Sequence, residues 1–331
     1  MRHLVTGGGG FIGSHLADAL IARGDEVLVL DDFSTGRPEN LEHLTEAPGF
    51  ELLKGSILDG GLVNDCVESA DWVFHLASAV GVQLIVRDPL QSLLTNMRGN
   101  DEVMSAAAKH RKRLLFTSTS EVYGKNGAGA LGEDSDRVLG SPSKSRWGYA
   151  TSKALGEALA HAYYTERGAA MVVVRLFNTV GRRQTGAYGM VLPRFVGQAL
   201  RGHDLTVYGN GTQTRCFVHV ADTVRALVQL LDEEAAPGNV YNIGSPEPVA
   251  IIDLARRVLE QTESQSRVTL VPYEEAYEPG FEELGHRIPD TTALSELTGW
   301  APTRALDETI ADVVAYEANR LRATESAALA N

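Results

Sequence analysis

Tyr149 and Lys153 stand four positions apart in the stretch "GYATSKALGE". On a helix this spacing puts both side chains on one face. A free phenol titrates near 10 and is a poor base at neutrality, whereas an adjacent ammonium favours the phenolate. The pair is therefore a candidate proton acceptor, with Lys153 expected to help lower the Tyr149 phenol. Such spacing is common on solvated helices, so the reading depends on its neighbours. Ser118, Thr119, Ser120 and Glu121 in "LLFTSTSEVYG" follow a strand-type run, and open α/β sheets hold their ligands beyond the carboxyl ends of strands. Hydroxyls placed there can hold a substrate oxygen.

Gly7, Gly10 and Gly13 in "HLVTGGGGFIGSHL" separate a strand-type run from a helix-type run. Glycine in such a turn lets backbone approach a pyrophosphate, whose charge is met by the amides of the helix start. Asp31 closes the next apolar run, "EVLVLD", where an acid accepts hydrogen bonds from the adenosine ribose and repels an added phosphate. NAD is expected rather than NADP, its positive nicotinamide ring adding to Lys153 in favouring the Tyr149 phenolate, with Arg37 in "STGR" a nearby cation that complicates the choice of cofactor.

These side chains need a scaffold. "HLVT", "EVLVLD", "FELLKG", "DWVFHLA", "RLLFTSTS" and "AMVVVRLF" read as strands, and "NVYNIG" supplies one more. Helix-period segments alternate with them, among them "FIGSHLADALIARG", stopped at Gly24, and "PLQSLLTNMRGNDEVMSAAAKH", started at Pro89. The alternation predicts a doubly wound α/β parallel sheet, a Rossmann fold, with a smaller C-terminal substrate-binding portion. We expect residues 1–175 to form the cofactor domain, 219–245 to return to it, and 176–331 to serve mainly the substrate.

The 331 residues are 44% hydrophobic and 22% charged, ordinary values for a folded chain. A net charge of -13 argues against a nucleic-acid partner. No apolar run approaches the roughly 20 residues that span a bilayer, and glycines interrupt the opening before a signal-type segment forms, so a cytoplasmic protein is expected. Cys66, Cys216 and the nine histidines show no metal-ligand spacing, and no metal is expected.

Together "TGGGGFIGSHL", "HLAS", "TSTSEVYG", "YATSK" and "VRLFNTVG" resemble the extended short-chain dehydrogenase/reductase family, in particular its nucleotide-sugar epimerases, dehydratases and decarboxylases. The resemblance continues through "LTVYGNGTQTRCFVHVAD" and "GHRIPDTTALSELTGW". It implies Tyr149 as base, Lys153 on the nicotinamide ribose, and Thr119 on the reacting hydroxyl with Ser120 and Glu121 beside it. NAD would be held by Gly7, Gly10, Phe11, Ile12, Gly13, Asp31, Asp32, Ser34, Thr35, Gly36, Ser56, Ile57, Leu76, Ala77, Ser78, Asn96 and Ser118. A UDP-sugar would meet Asn178, Thr185, Tyr188, Val191, Leu192, Thr206, Tyr208, Gln213, Arg215 and Arg287, the two arginines clamping its phosphates. A homodimer through a four-helix bundle is also implied. Ser56 in place of an acid, Asp32 in place of Asn and Arg182 in place of Pro depart from the family pattern.

The resemblance also frames the reaction. Oxidation at carbon 4 of a UDP-hexose gives a 4-keto sugar. Dehydratases carry Asp-Glu after the threonine, and Ser120-Glu121 stands here instead, which argues against dehydration. "TSTSEVYG" is similar to the decarboxylase version, whereas "ASAVGVQLIVRDPLQSLLTN" is closer to epimerases. The sequence leans to 4-epimerisation, with UDP-glucuronate ahead of UDP-glucose and the carboxylate held by Ser78 and the stretch from Thr185 to Tyr188. UDP-glucuronate decarboxylation is the alternative, and a non-catalytic NAD-binding scaffold is the reading from another class.

Overall fold

The computed structural model describes residues 1–79, 88–127, 129–144, 146–186, 190–276 and 287–329. Seven strands form one parallel sheet: β1 (Arg2–Thr6), β2 (Glu26–Asp31), β3 (Phe50–Lys54), β4 (Trp72–His75), β5 (Arg113–Thr119), β6 (Met171–Leu176) and β7 (Val240–Ile243). Their order across the sheet is β7-β6-β5-β4-β1-β2-β3. Each corresponds to an apolar run read from the sequence.

Neighbouring residues of a strand point to opposite faces, and here both faces are covered. Val5, Val29, Phe74, Leu115 and Val174 join one buried cluster. Leu4, Leu28, Val73, Leu114 and Val173 join the other. Strands buried on both sides carry near-continuous apolar sequence, which is why they were legible.

Helices α1 (Phe11–Ala22), α2 (Gly60–Ser69), α3 (Pro89–Lys109) and α4 (Arg146–Arg167) supply the crossovers of the first half. Their ends follow local chemistry. Asp59 caps α2 by accepting from Leu62 N, and Asp88 caps α3 through Gln91 N with Pro89 in the first turn. Gly24, at φ 88, turns the chain out of α1.

Beyond β6 the chain adds α5 (Val191–Leu200), α6 (Val220–Asp232), α7 (Ile251–Thr262) and α8 (Leu306–Leu329). α6 packs on α1 and β7 pairs with β6, so this stretch lies on the large sheet. α5, α7 and α8 share a separate core built from Leu192, Phe195, Leu205, Leu254, Val258 and Ile310. The strand order reverses between β1 and β4, so the crevice at their carboxyl ends is where a ligand fits.

Candidate active site

A cleft of about 860 Å³ opens at that crevice. One end is built by the glycine turn. Gly7 adopts φ 72, and a Cβ on it would lie 2.7 Å from Ala77 N, so only glycine lets the turn pass the end of β4. A Cβ on Gly13 would collide with Gly7 O. α1 begins at Gly10 with no side-chain cap, which leaves its leading amides to an anion in the cleft.

Asp31 Oδ2 accepts from Gly9 N at 2.8 Å and Oδ1 from Phe33 N at 2.7 Å. The carboxylate thus ties the end of β2 to the glycine turn. Burial pushes its pKa up, and the two amides oppose that rise. Phe11, Ile12, Asp32, Ser34, Thr35, Gly36, Ser56, Ile57, Leu76, Ala77 and Ser78 line the cleft with it. A narrow glycine cradle, an uncapped helix start and an acid at the end of β2 fit a dinucleotide. Arg37 reaches across the same end, its Nη2 lying 3.5 Å from Thr185 Oγ1.

The other end holds the reactive groups. Tyr149 and Lys153 lie on α4 and line the cleft, with Ser118, Thr119, Ser120 and Glu121 opposite at the end of β5. Lys153 Nζ donates to Thr117 O at 2.8 Å and sits 4.8 Å from the centroid of the Phe116 ring. Burial lowers its pKa to about 7, against the raising influence of Glu157.

The expectation for Tyr149 counts the charge of the nicotinamide ring, and the chain's own groups do not lower the phenol. It is pushed above its ordinary value, first by burial and then by the negative charge of Glu121. Desolvation disfavours a charged phenolate wherever no positive charge compensates it. A phenolate at Tyr149 therefore needs further positive charge, such as an oxidised nicotinamide ring.

Two arginines flank this end. Arg287, 5% exposed, donates from Nη1 to Ser120 Oγ at 3.2 Å. Arg146 Nη2 lies 3.9 Å from Glu121 Oε1, and the sequence reading missed it. Its signal was present: Arg146 precedes Tyr149 by three residues and so shares its helix face. Asp88, which caps α3, and Gln91, Ser92 and Thr95 within it also line the cleft and were missed.

On the far wall stand Asn178, Thr185, Val191, Tyr208, Gln213 and Arg215. Asn178 Nδ2 donates to Cys216 O at 2.8 Å, which fixes its amide. Three of the residues expected at the site lie elsewhere. Leu192 is fully buried in the core shared by α5, α7 and α8. Thr206 Oγ1 accepts from Gln198 Nε2 at 3.0 Å and does not line the cleft. Asn96 stands behind the wall, where its Oδ1 accepts from Ala79 N and Ser78 Oγ and its Nδ2 donates to Ser152 Oγ. Tyr188 and Ala187 lie outside the described residues.

His75 is buried between Thr6 and Asn100, with its pKa lowered to about 3 by burial, so it stays neutral. Among the described residues no three His, Cys, Asp or Glu side chains group to hold a metal. None of the described helices is long and apolar enough to cross a membrane.

Residues 3–244 match the model of the NAD dependent epimerase/dehydratase family. The chain is 40% identical over 316 residues to the UDP-N-acetyl-alpha-D-glucosaminuronate decarboxylase of Bacillus cytotoxicus, covering 95% of this chain and 97% of that protein. It is 34% identical to UDP-glucuronic acid decarboxylase 1 of Danio rerio, covering 97% of this chain and 73% of that one. Among solved structures, the UDP-glucuronic acid 4-epimerase of Bacillus cereus, in complex with UDP-glucuronic acid and NAD, superposes with a TM-score of 0.87 at 28% identity. That match covers 97% of this chain and all of the other.

Proposed function

Because this chain belongs to the NAD dependent epimerase/dehydratase family and takes NAD as its cofactor, we propose that it oxidises a UDP-linked uronic acid at carbon 4 and releases the carboxyl group as carbon dioxide. The observation that carries this reading is the buried Arg287 guanidinium on Ser120, in the cleft that Glu121 and Tyr149 also line. A planar fork there suits a carboxylate, which a neutral hexose lacks.

NAD+, when bound, takes hydride from carbon 4 and later returns it. Tyr149 Oη accepts the proton of the carbon 4 hydroxyl, and Thr119 Oγ1 holds that oxygen. Lys153 supplies positive charge beside the phenol. Oxidation makes the uronate a β-keto acid. Breaking the bond between carbons 5 and 6 then releases carbon dioxide and leaves its electron pair as an enolate across carbons 4 and 5. Tyr149, now carrying the carbon 4 proton, faces the enolate oxygen; a proton from solvent takes the place of the carboxyl group at carbon 5, and Tyr149 gives its proton back to the carbon 4 oxygen as that carbon would be reduced again. Arg215 and Asn178 hold the diphosphate, and the glycine turn and Asp31 hold the dinucleotide. In this reading residues 1–175 and 219–245 serve the cofactor and the rest of 176–331 mainly the UDP-sugar.

The 40% identity to a decarboxylase across nearly the whole of both chains supports decarboxylation over the epimerisation to which the sequence leaned. It also makes the 2-acetamido uronate the first substrate to test and UDP-glucuronate the second. Epimerisation at carbon 4 of the same uronate is the second reading, favoured by the full-length likeness to the 4-epimerase structure. Product analysis after incubation with each uronate separates them: a UDP-pentose supports decarboxylation, and a UDP-linked galacto-uronate supports epimerisation.

We also propose that two copies pair through α3 and α4. These packed helices leave Leu90 68%, Leu93 37%, Met97 42% and Leu155 40% exposed, an apolar face that a second copy would cover.

A further inference from the structure

Glu157 does not line the cleft, yet it follows Lys153 by one helical turn on the face of α4 that carries Tyr149. It is 3% exposed. Its Oε1 accepts from Ser118 Oγ and, at 3.0 Å, from Arg175 Nε, while its Oε2 accepts from Arg175 Nη2 at 2.8 Å. Arg137 Nη2 lies 3.2 Å from the same Oε2.

Arg175, in β6, is paired in register with Ser118 in β5 and is equally buried. Its Nη1 donates to Tyr123 Oη at 2.9 Å and to Glu133 O at 2.7 Å. Tyr123 Oη in turn donates to Asn242 Oδ1 in β7. One carboxylate thus joins β5, α4 and β6, and through Tyr123 reaches β7. A buried ion pair of this kind adds little net stability compared with an apolar pair of the same volume. What it does supply is geometry, because each bond fixes a direction as well as a distance.

We propose that Glu157 is a positioning residue for the reactive end: gripped by Arg175, it locks the end of β5 to α4 so that Thr119 and Lys153 address the same substrate atoms. It also holds charge where the reaction uses it, since the Glu157 carboxylate favours the Lys153 ammonium against burial. The other described groups around Lys153 do not duplicate this. Thr117 O and the Phe116 ring face it from β5, neutral His75 from β4 and Tyr149 from its own helix, while the charge of Glu121, in the turn after β5, acts on Tyr149.

The inference rests on the roles proposed for Tyr149 and Lys153, and its test reads hydride transfer, which decarboxylation and epimerisation share. Glu157→Gln should slow single-turnover NAD reduction by about 10- to 100-fold, as a small misalignment does. The alkaline limb should move to lower pH, while the Kd values for NAD and UDP stay within about twofold of wild type. Glu157→Gln leaves Arg175 charged and buried, so Glu157→Gln/Arg175→Met is measured beside it with thermal unfolding as a check on folding. Its alkaline limb should shift in the same direction by a smaller amount. Ser118→Ala, which removes only the anchor on β5, should slow the step without moving the limb. Folded variants with the wild-type rate and limb would overturn the proposal. If wild-type protein neither converts any UDP-uronate nor reduces NAD with it, the proposed function fails instead. A ¹⁵N-lysine titration then decides the matter for Glu157, expected to show a lower Lys153 midpoint in Glu157→Gln and overturning its role if the midpoint is unmoved.

Discussion

Arg287 donates a hydrogen bond to Ser120 across 167 residues of sequence, at the end of the cleft where Tyr149 and Lys153 also stand. This contact separates two roles for the arginine. A clamp on the UDP phosphates would serve every UDP-sugar alike, whereas a carboxylate partner would serve only uronates. Arg287→Ala should lower kcat/KM for a UDP-uronate by about 10- to 100-fold, the worth of one hydrogen bond to a charged group, and leave UDP-glucose binding nearly unchanged. Equal losses on both ligands would return Arg287 to the phosphates.

Tyr149→Phe keeps the ring that fills the wall and removes the oxygen. Hydride transfer should fall by about 10²- to 10⁴-fold, the usual contribution of a positioned acid–base group, with the thermal unfolding midpoint near that of wild type. Rapid-quench measurement of NADH checks this, and an unchanged rate would remove Tyr149 from the mechanism.

Lys153 carries a pH signature of definite sign. Its pKa falls from 10.5 to about 7 on folding because the ammonium is buried. Between those values the unfolded chain binds the proton and the folded one does not, so this residue makes stability rise with pH across that window. Below about 7 both states are protonated and the burial cost is present in full. Lys153→Met should accordingly stabilise the protein by a few kcal/mol at pH 6 and by much less near pH 10, as read by denaturant unfolding at each pH. A stabilisation that is flat with pH would contradict the shift.

Leu93 is partly exposed on α3, and its side chain lies 3.6 Å from where a Cβ on Gly148 of α4 would stand. It therefore sits at the seam of the two helices proposed to pair. Leu93→Glu should convert a dimer into a monomer in light scattering while the far-ultraviolet spectrum stays constant. A monomeric wild-type protein would remove the interface.

Much of the fold was legible because its physics is local. A strand buried on both faces is apolar along most of its length, and "EVLVLD" and "AMVVVRLF" show this within six or eight residues, interrupted by Glu26, Asp31 and Arg175. The glycine turn was legible for the same reason, since a turn that Cβ atoms would obstruct must be written in glycine. The reactive end was legible only in part. Helical spacing announced Tyr149 and Lys153, but the direction of the phenol shift depends on burial, which no short pattern encodes. Nor does spacing reveal that Ser118 turns back to Glu157, or that Arg287 arrives beside Ser120 from the far end of the chain. Leu192 illustrates the reverse failure. It stands within a stretch matching the family, yet α5 rotates its side chain into the core.

The central claim is that the carboxyl group leaves the sugar while it is oxidised at carbon 4. The most direct measurement supplies UDP-N-acetylglucosaminuronate, and separately UDP-glucuronate, labelled with ¹³C at carbon 6, and follows the label by NMR. Label appearing as carbon dioxide and bicarbonate, in step with an unlabelled UDP-pentose, is the expected result. Label retained in a UDP-uronate whose carbon 4 is inverted would contradict it.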